Sequence, residues 1–318
     1  MAKFTGTYNT YQTVGIKEDV SEAIYNISPK ATPFMTTAGK DTAGQSLFEW
    51  QTDSLATPDG NNAQLEGDDL IAVDTSTATT RLGNYCQISR KSAAVSGTNE
   101  ASEKYGRGSD LAYNMAKKSA ELKRDCETIL TQNQGAVAGA DGTARKTGSV
   151  LAFIKTNTNF GAGGANPVYT NVPTGTRTDG TLRNFTEVIL ADVLQQMYLS
   201  GAEPQSVMLG AALKHVASAF TGVATKTFYK SAVEATATIG AADIYVGEFT
   251  TVAFVPNRFM RTRDALFIDK DYVAVAYLRP FFTKPLAVTG DAEKRLILGE
   301  YGLKVKNEKA LGLATDLQ

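Results

Sequence analysis

Apolar and small side chains at Leu111, Met115, Leu122, Cys126 and Ile129 recur at fours, threes and their multiples, which predicts one helix over residues 109–134. It is the longest helical pattern in the chain. Lys117, Lys118, Glu121, Lys123, Arg124 and Glu127 fill the remaining faces, so the helix reads as amphipathic. Ser109 is placed to cap it, with Asp110 against the positive end of its dipole, and Gly135 to stop it. At ~1.5 Å per residue such a helix runs on the order of 35–40 Å.

The pattern before this helix has period two. In residues 45–53 Phe48 and Trp50 share one face, with Leu47, Glu49 and Gln51 on the other. In residues 79–91 Leu82, Asn84, Cys86 and Ile88 share a face. Together they predict a long hairpin within residues 40–97, whose connection is acidic, turn-rich and too long for a tight turn. A two-stranded ribbon is marginal in water, so it needs a surface to lean on. Residues 1–39 read as an arm with the same need: a short helix over 20–27 ending at Ser28-Pro29, then an extended stretch at 32–35.

After the long helix, residues 135–183 read as loop around an apolar island at 150–154. Residues 184–290 carry mixed patterns. Asn184 with Glu187 resembles a capping box, and Val188, Ile189, Val193, Leu194 and Met197 follow at helical spacing until Gly201. A strand at 207–209, a helix at 211–220 closed by Gly222, and two short strands within 243–255 come next. Residues 265–268 and 272–278 flank Asp269-Lys270-Asp271 as a hairpin. In the tail, 291–318, Leu296, Leu298 and Glu300 alternate with Ile297, Gly299 and Tyr301, a strand that returns to pair with an earlier element. The fold class is α+β.

Composition narrows the function. The 318 residues are 42% hydrophobic and 20% charged, with 32 basic against 33 acidic residues and a net charge of -1. That balance disfavours a protein whose main task is gripping phosphates. No apolar run reaches membrane-spanning length, and the N-terminus lacks a signal-peptide core. Cys86 and Cys126 have no neighbouring Cys or His at metal spacing and read as buried thiols.

No catalytic constellation assembles. His215 is the only histidine and lies on a helix with an apolar face, and no G-x-S-x-G motif offers it a partner serine. The glycines at 106, 108 and 161–164 do not form a phosphate-binding loop, and Asp68-Asp69 and 269–271 lack calcium-loop spacing. Arg258, Arg261 and Arg263 form a small basic cluster that reads as a solvated loop, or as a contact for an acidic patch on a partner. No cofactor or metal is expected. Unsupported arms without an active site point to a protein that completes itself by assembly.

The order of arm, long hairpin, long helix, mixed domain and returning strand resembles the major capsid proteins of tailed bacteriophages, with the Hong Kong 97-type fold. The tail is the most specific part: Tyr277-Leu278-Arg279-Pro280-Phe281, Thr289-Gly290-Asp291 and Asn307-Glu308-Lys309-Ala310 look like the SU-ten-like group. The resemblance implies an N-terminal arm (1–39), an extended loop (40–97), a peripheral domain with its spine helix (98–183), an axial domain (184–290) and a C-terminal return to the peripheral domain (291–318). It implies hexamers and pentamers tiling an icosahedral shell around double-stranded DNA held without sequence-specific contacts. Assembly in the host cytoplasm, a separate scaffolding protein, a portal and decoration proteins go with it, and no membrane. The chain begins almost directly with the arm, so no fused scaffolding domain is expected. Phe48, Trp50, Tyr85, Arg258, Arg261 and Arg263 are the candidate contacts between subunits. A tail-tube or adhesin subunit is the alternative within assembly proteins, and a hydrolase using His215 the alternative outside them.

Overall fold

The computed structural model describes residues 31–63, 66–67, 76, 78–220, 244–288 and 290–318. The helix expected at 20–27, Asp68-Asp69 and the stop at Gly222 lie outside these. Along the chain the elements are α1 (Pro33–Thr37), β1 (Gly39–Thr42), β2 (Leu47–Thr52), β3 (Thr80–Tyr85), β4 (Gln87–Ser96), α2 (Gly97–Ala101) and α3 (Asp110–Thr131). Then come α4 (Val150–Phe153), β5 (Thr158–Asn159), α5 (Glu187–Leu199), β6 (Ser206–Leu209), α6 (Ala211–Ala217), β7 (Ile244–Val246) and β8 (Thr251–Pro256). The chain closes with β9 (Ala265–Ile268), β10 (Val273–Pro285), β11 (Ala292–Val305) and β12 (Leu311–Ala314).

Helix α3 forms where its periodicity placed it. The Ser109 hydroxyl accepts from the Ala112 amide at 3.1 Å, and Glu100 of α2 accepts from the Asp110 and Leu111 amides at 3.1 and 3.3 Å, so two side chains cap one helix. Leu111, Leu122, Cys126 and Leu130 are buried, and the helix lies against β4 and β11. Two expectations fail here. The helix ends at Thr131, and Gly135 lies beyond it, pressed against the Thr174 carbonyl, so its missing side chain serves packing and not the helix stop. Glu127, expected among the exposed charges, is fully buried.

The return strand expected over residues 79–91 is two strands. β3 pairs antiparallel with β2, Leu47 opposite Tyr85 and Thr52 opposite Thr80, whereas β4 pairs with β11, Gln87 opposite Tyr301 and Ser96 opposite Ala292. The buried parity changes at the break: Leu82, Asn84 and Cys86 are inward, then Ser89, Ala93 and Val95, while Ile88 is exposed. One extended run therefore serves two sheets with opposite faces. The stretch at 32–35 is α1 and not extended, with Pro33 in the first turn, where its missing N–H costs nothing.

A four-stranded sheet has the order β1-β10-β11-β4, and a six-stranded sheet the order β5-β12-β9-β6-β8-β7. The hairpin expected across residues 269–271 is absent, because β9 pairs with β6 and β12 in the second sheet and β10 with β1 and β11 in the first. The Asp269 carboxylate accepts from the Asp271 amide at 3.2 Å in the turn that carries the chain between sheets. The first sheet takes β4, β10 and β11 from three of the five segments the sequence suggested. The tail likewise divides: β11 joins the first sheet, but β12 is inserted between β5 and β9 of the second.

Helix α5 starts at Glu187 with Thr186 at its N-cap, and Asn184 caps nothing. The reason is that residues 183–185 are held by the C-terminus: the Arg183 amide donates to the Asp316 carbonyl, and the Gln318 amide to the Arg183 carbonyl, at 2.8 and 2.9 Å. At the other end Gly201 takes φ 81, a left-handed conformation that suits glycine and ends the helix as expected. One core lies beneath α3 and includes Leu122, Leu130, Leu151, Phe153, Tyr301 and Leu303. A second surrounds α5 and includes Leu190, Val193, Met197, Val207, Leu209 and Phe267.

Candidate assembly surfaces

The side chains with chemical potential are dispersed. His215 is exposed on α6. Both cysteines are buried and free, and burial pushes the Cys86 thiol up to about 11 and the Cys126 thiol to about 12, so neither forms a thiolate at neutral pH. Among the described residues no three His, Cys, Asp or Glu side chains gather as a metal site, and no helix is long and apolar enough to cross a membrane.

Four of the six candidate contact residues turn inward on their own subunit. Phe48 is only 9% exposed and packs with Cys86 and Ala276. Its ring crowds Gly302 so closely that a Cβ there would lie 2.5 Å from it. Trp50 stacks on Phe48 at 5.7 Å and meets Phe153 at 6.1 Å. The base of the β2–β3 ribbon is thus seated in the core, where its own subunit already covers much of these rings. Phe48→Ala is expected to destabilise the isolated subunit by about 3 kcal/mol in urea unfolding. An unchanged unfolding midpoint with failed assembly would instead place the ring at an interface. Tyr85 is half-buried opposite Leu47, and Arg258 is exposed.

Arg261 and Arg263 are internal clasps. The Arg261 guanidinium meets both Asp179 carboxylate oxygens at 2.6 Å and lies 3.4 Å from Asp264. Arg263 donates to Asp316 and to the Gly180 carbonyl, each at 2.6 Å. Burial raises the Asp179 carboxyl, but Arg261 and Arg263 more than offset it and hold the group below the usual carboxylate range. Burial dominates at Asp264, which is raised despite Arg261. Asp316 is completely buried at φ 62 and accepts from the Gly161 and Gly180 amides at 3.0 and 2.9 Å. Neither Asp179 nor Asp316 was marked by the sequence, since single aspartates in loops carry no pattern.

Among the described residues three surfaces stand uncovered. From Asp53 to Ala63 every residue is exposed, and Leu55 is 98% exposed. The outer face of α5 shows Val188, Ala191, Tyr198 and Leu199, with Phe249 stacked on Tyr198 at 4.8 Å. The third is the face of the β4–β11–β10 sheet turned away from α3, where Ile88 and Phe282 are exposed. Apolar side chains clustered at a surface mark contacts with other molecules.

The family model for the SU10 major capsid protein matches residues 3–318. The major capsid protein of Escherichia phage Phieco32 is 31% identical over 342 residues, covering 96% of this chain and 95% of that one. A chain from Gordonia phage Cozz superposes with a TM-score of 0.61 at 12% identity, covering 99% of this chain and 97% of that one. A capsid chain of a native GTA particle gives 0.60 at 14% identity, covering 96% and 97%. At these identities the structures speak for the fold, which is the Hong Kong 97-type fold of phage major capsid proteins.

Proposed function

The chain belongs to the SU10 major capsid protein family, a structural component of phage heads, and from that premise we propose that its copies form hexamers and pentamers that close an icosahedral shell around double-stranded DNA. The observation that carries this reading is the segment from Asp53 to Ala63, exposed throughout and attached to a subunit whose ribbon base is already packed. In the assembled shell such a segment gains its contacts from a neighbouring copy. The apolar outer face of α5 offers a second self-contact, facing the centre of a ring. Repeated around each ring, apolar burial at ~25 cal/mol per Å² makes individually weak contacts sufficient.

The net charge of -1 suits a container that confines DNA without binding it tightly. Assembly takes place in the host cytoplasm, with a separate scaffolding protein, a portal and decoration proteins as the further partners of the shell. Sedimentation of the expressed protein, alone and with the phage's other head proteins, tests the reading. Particles of megadalton mass are expected, and a protein that stays monomeric under every condition would refute it.

A further inference from the structure

We propose that Asp264 controls a two-position clasp. Its buried carboxylate competes with that of Asp179 for the Arg261 guanidinium, so a proton on Asp264 keeps residues 177–183 fastened and its loss slackens them. The clasp belongs to the single subunit and does not depend on shell assembly.

Three segments meet at this junction: residues 257–264 before β9, residues 177–183, and the tail after β12. They set the guanidiniums of Arg177, Arg183, Arg261 and Arg263 against the carboxylates of Asp179, Asp264 and Asp316. Two of the carboxylates are satisfied. Asp179 meets Arg261 Nη2 with both oxygens, and Asp316 accepts from two amides and from Arg263.

Asp264 is different. Its side chain is 0% exposed, yet neither oxygen accepts a hydrogen bond. Arg261 Nη1 lies 3.4 Å from Oδ2 and has no hydrogen-bond partner of its own. The Thr315 hydroxyl faces the carboxyl from the tail and is also unbonded. A buried anion without donors is costly, and two changes relieve it: uptake of a proton, or capture of a donor.

The donor is at hand. Arg261 Nη1 needs to move only about 0.5 Å to reach hydrogen-bond distance. The guanidinium is a rigid plane, however, and its Nη2 is committed to Asp179. Closing on Asp264 therefore draws Arg261 away from Asp179. Asp179 is the outer end of the clasp, with its side chain 38% exposed against 0% for Asp264.

The charges facing Asp264 set the direction of the response. Burial opposes its ionised form most, Asp179 opposes it further, and Arg261 and Arg177 favour it, with the carboxyl left above the ordinary aspartate range. Asp179 is held below that range. Asp264 thus adds stability at low pH that is lost as pH rises from the ordinary range to its raised one. Asp179 adds stability at neutral pH that is lost as pH falls through its depressed range. Between the two ranges Asp264 is neutral, Asp179 is charged, and Arg261 belongs to Asp179 alone. Above them both carboxylates are charged and share it. Leu182, 46% exposed, sits on the clasped segment, so the proton sets how firmly that side chain is held at the surface.

Hydrogen exchange on the purified subunit tests this at the Thr181 and Arg183 amides, which donate to the Ala162 and Asp316 carbonyls at 2.9 and 2.8 Å. After correction for the intrinsic pH dependence of exchange, their protection is expected to fall at least about fivefold from mildly acidic to mildly alkaline pH. It is expected to stay level in Asp264→Asn, which keeps the shape and does not ionise. Protection that stays level in the parent, or still falls in the variant, would overturn the clasp. A second readout needs no substitution. Followed by NMR, the Asp264 carboxyl carbon and the Arg261 side-chain nitrogens are expected to titrate with one midpoint. An Arg261 that stays still while Asp264 titrates, or an Asp264 that titrates in the ordinary aspartate range, would equally overturn it.

Discussion

Replacing Asp316 with alanine is expected to cost the subunit about 4 kcal/mol. The side chain is fully buried and gathers three donors: the amides of Gly161 and Gly180 and the Arg263 guanidinium. Alanine leaves all three without that acceptor, and Arg263 keeps the Gly180 carbonyl at 2.6 Å and, as its carboxylate, Asp179 at 3.5 Å. The backbone adds to the loss, since φ 62 suits aspartate better than alanine. The space around the carboxylate is also closed. A Cβ on Gly180 would lie 2.6 Å from the Gly161 carbonyl and 2.8 Å from Asp316, so the glycines form a fitted cradle. Because residues 311–318 hold β5, β9 and residues 183–185 together, the damage spreads through the six-stranded sheet. Asp316→Asn keeps the shape and the tolerance for positive φ but loses the charge, and is expected to fall between alanine and the parent. Denaturant unfolding of purified subunits measures all three, and a change below about 1 kcal/mol for the alanine variant would show the cradle to be incidental.

The second large effect is expected at Glu127. Its carboxylate accepts from the Phe34 and Met35 amides at 2.7 and 2.9 Å and from the Asn257 side-chain amide at 2.7 Å. Burial pushes its carboxyl above the ordinary glutamate range even against those three donors. It joins three parts distant in sequence: α1, the long helix and the loop after β8. Glu127→Ala strands two buried donors and the half-buried Met35 amide, and is expected to cost about 3 kcal/mol. The loss has a local signature. Hydrogen exchange at Phe34 and Met35 is expected to quicken far more than at the centre of α3, because α1 loses its tether while the helix keeps its sheet. Equal acceleration throughout would mean that Glu127 supports the whole core and not a junction.

The long helix was legible because its stripe of buried residues has the helical period and its cap is local. The strand of residues 79–91 was legible as extended chain but not as two strands, since nothing in a run of alternating residues announces a change of sheet at Cys86. The turn at 269–271 misled for the same reason: adjacent strands usually pair, and here each pairs elsewhere. Glu127 and Asp316 were hidden because a buried carboxylate depends on donors between 53 and 155 residues away. Phe48 and Trp50 were read correctly as one apolar face, but whether that face meets its own core or a neighbour depends on Ala276, Gly302 and Phe153, far along the chain. The surfaces left for assembly could be found only by subtracting what the subunit itself covers.

Cryo-electron microscopy of particles purified after expression with the phage's head proteins tests the central claim most directly. Closed shells built of five- and six-membered rings are expected, with residues 53–63 of each copy covered by a neighbouring copy. Open tubes, or shells in which residues 53–63 stay uncovered, would contradict it.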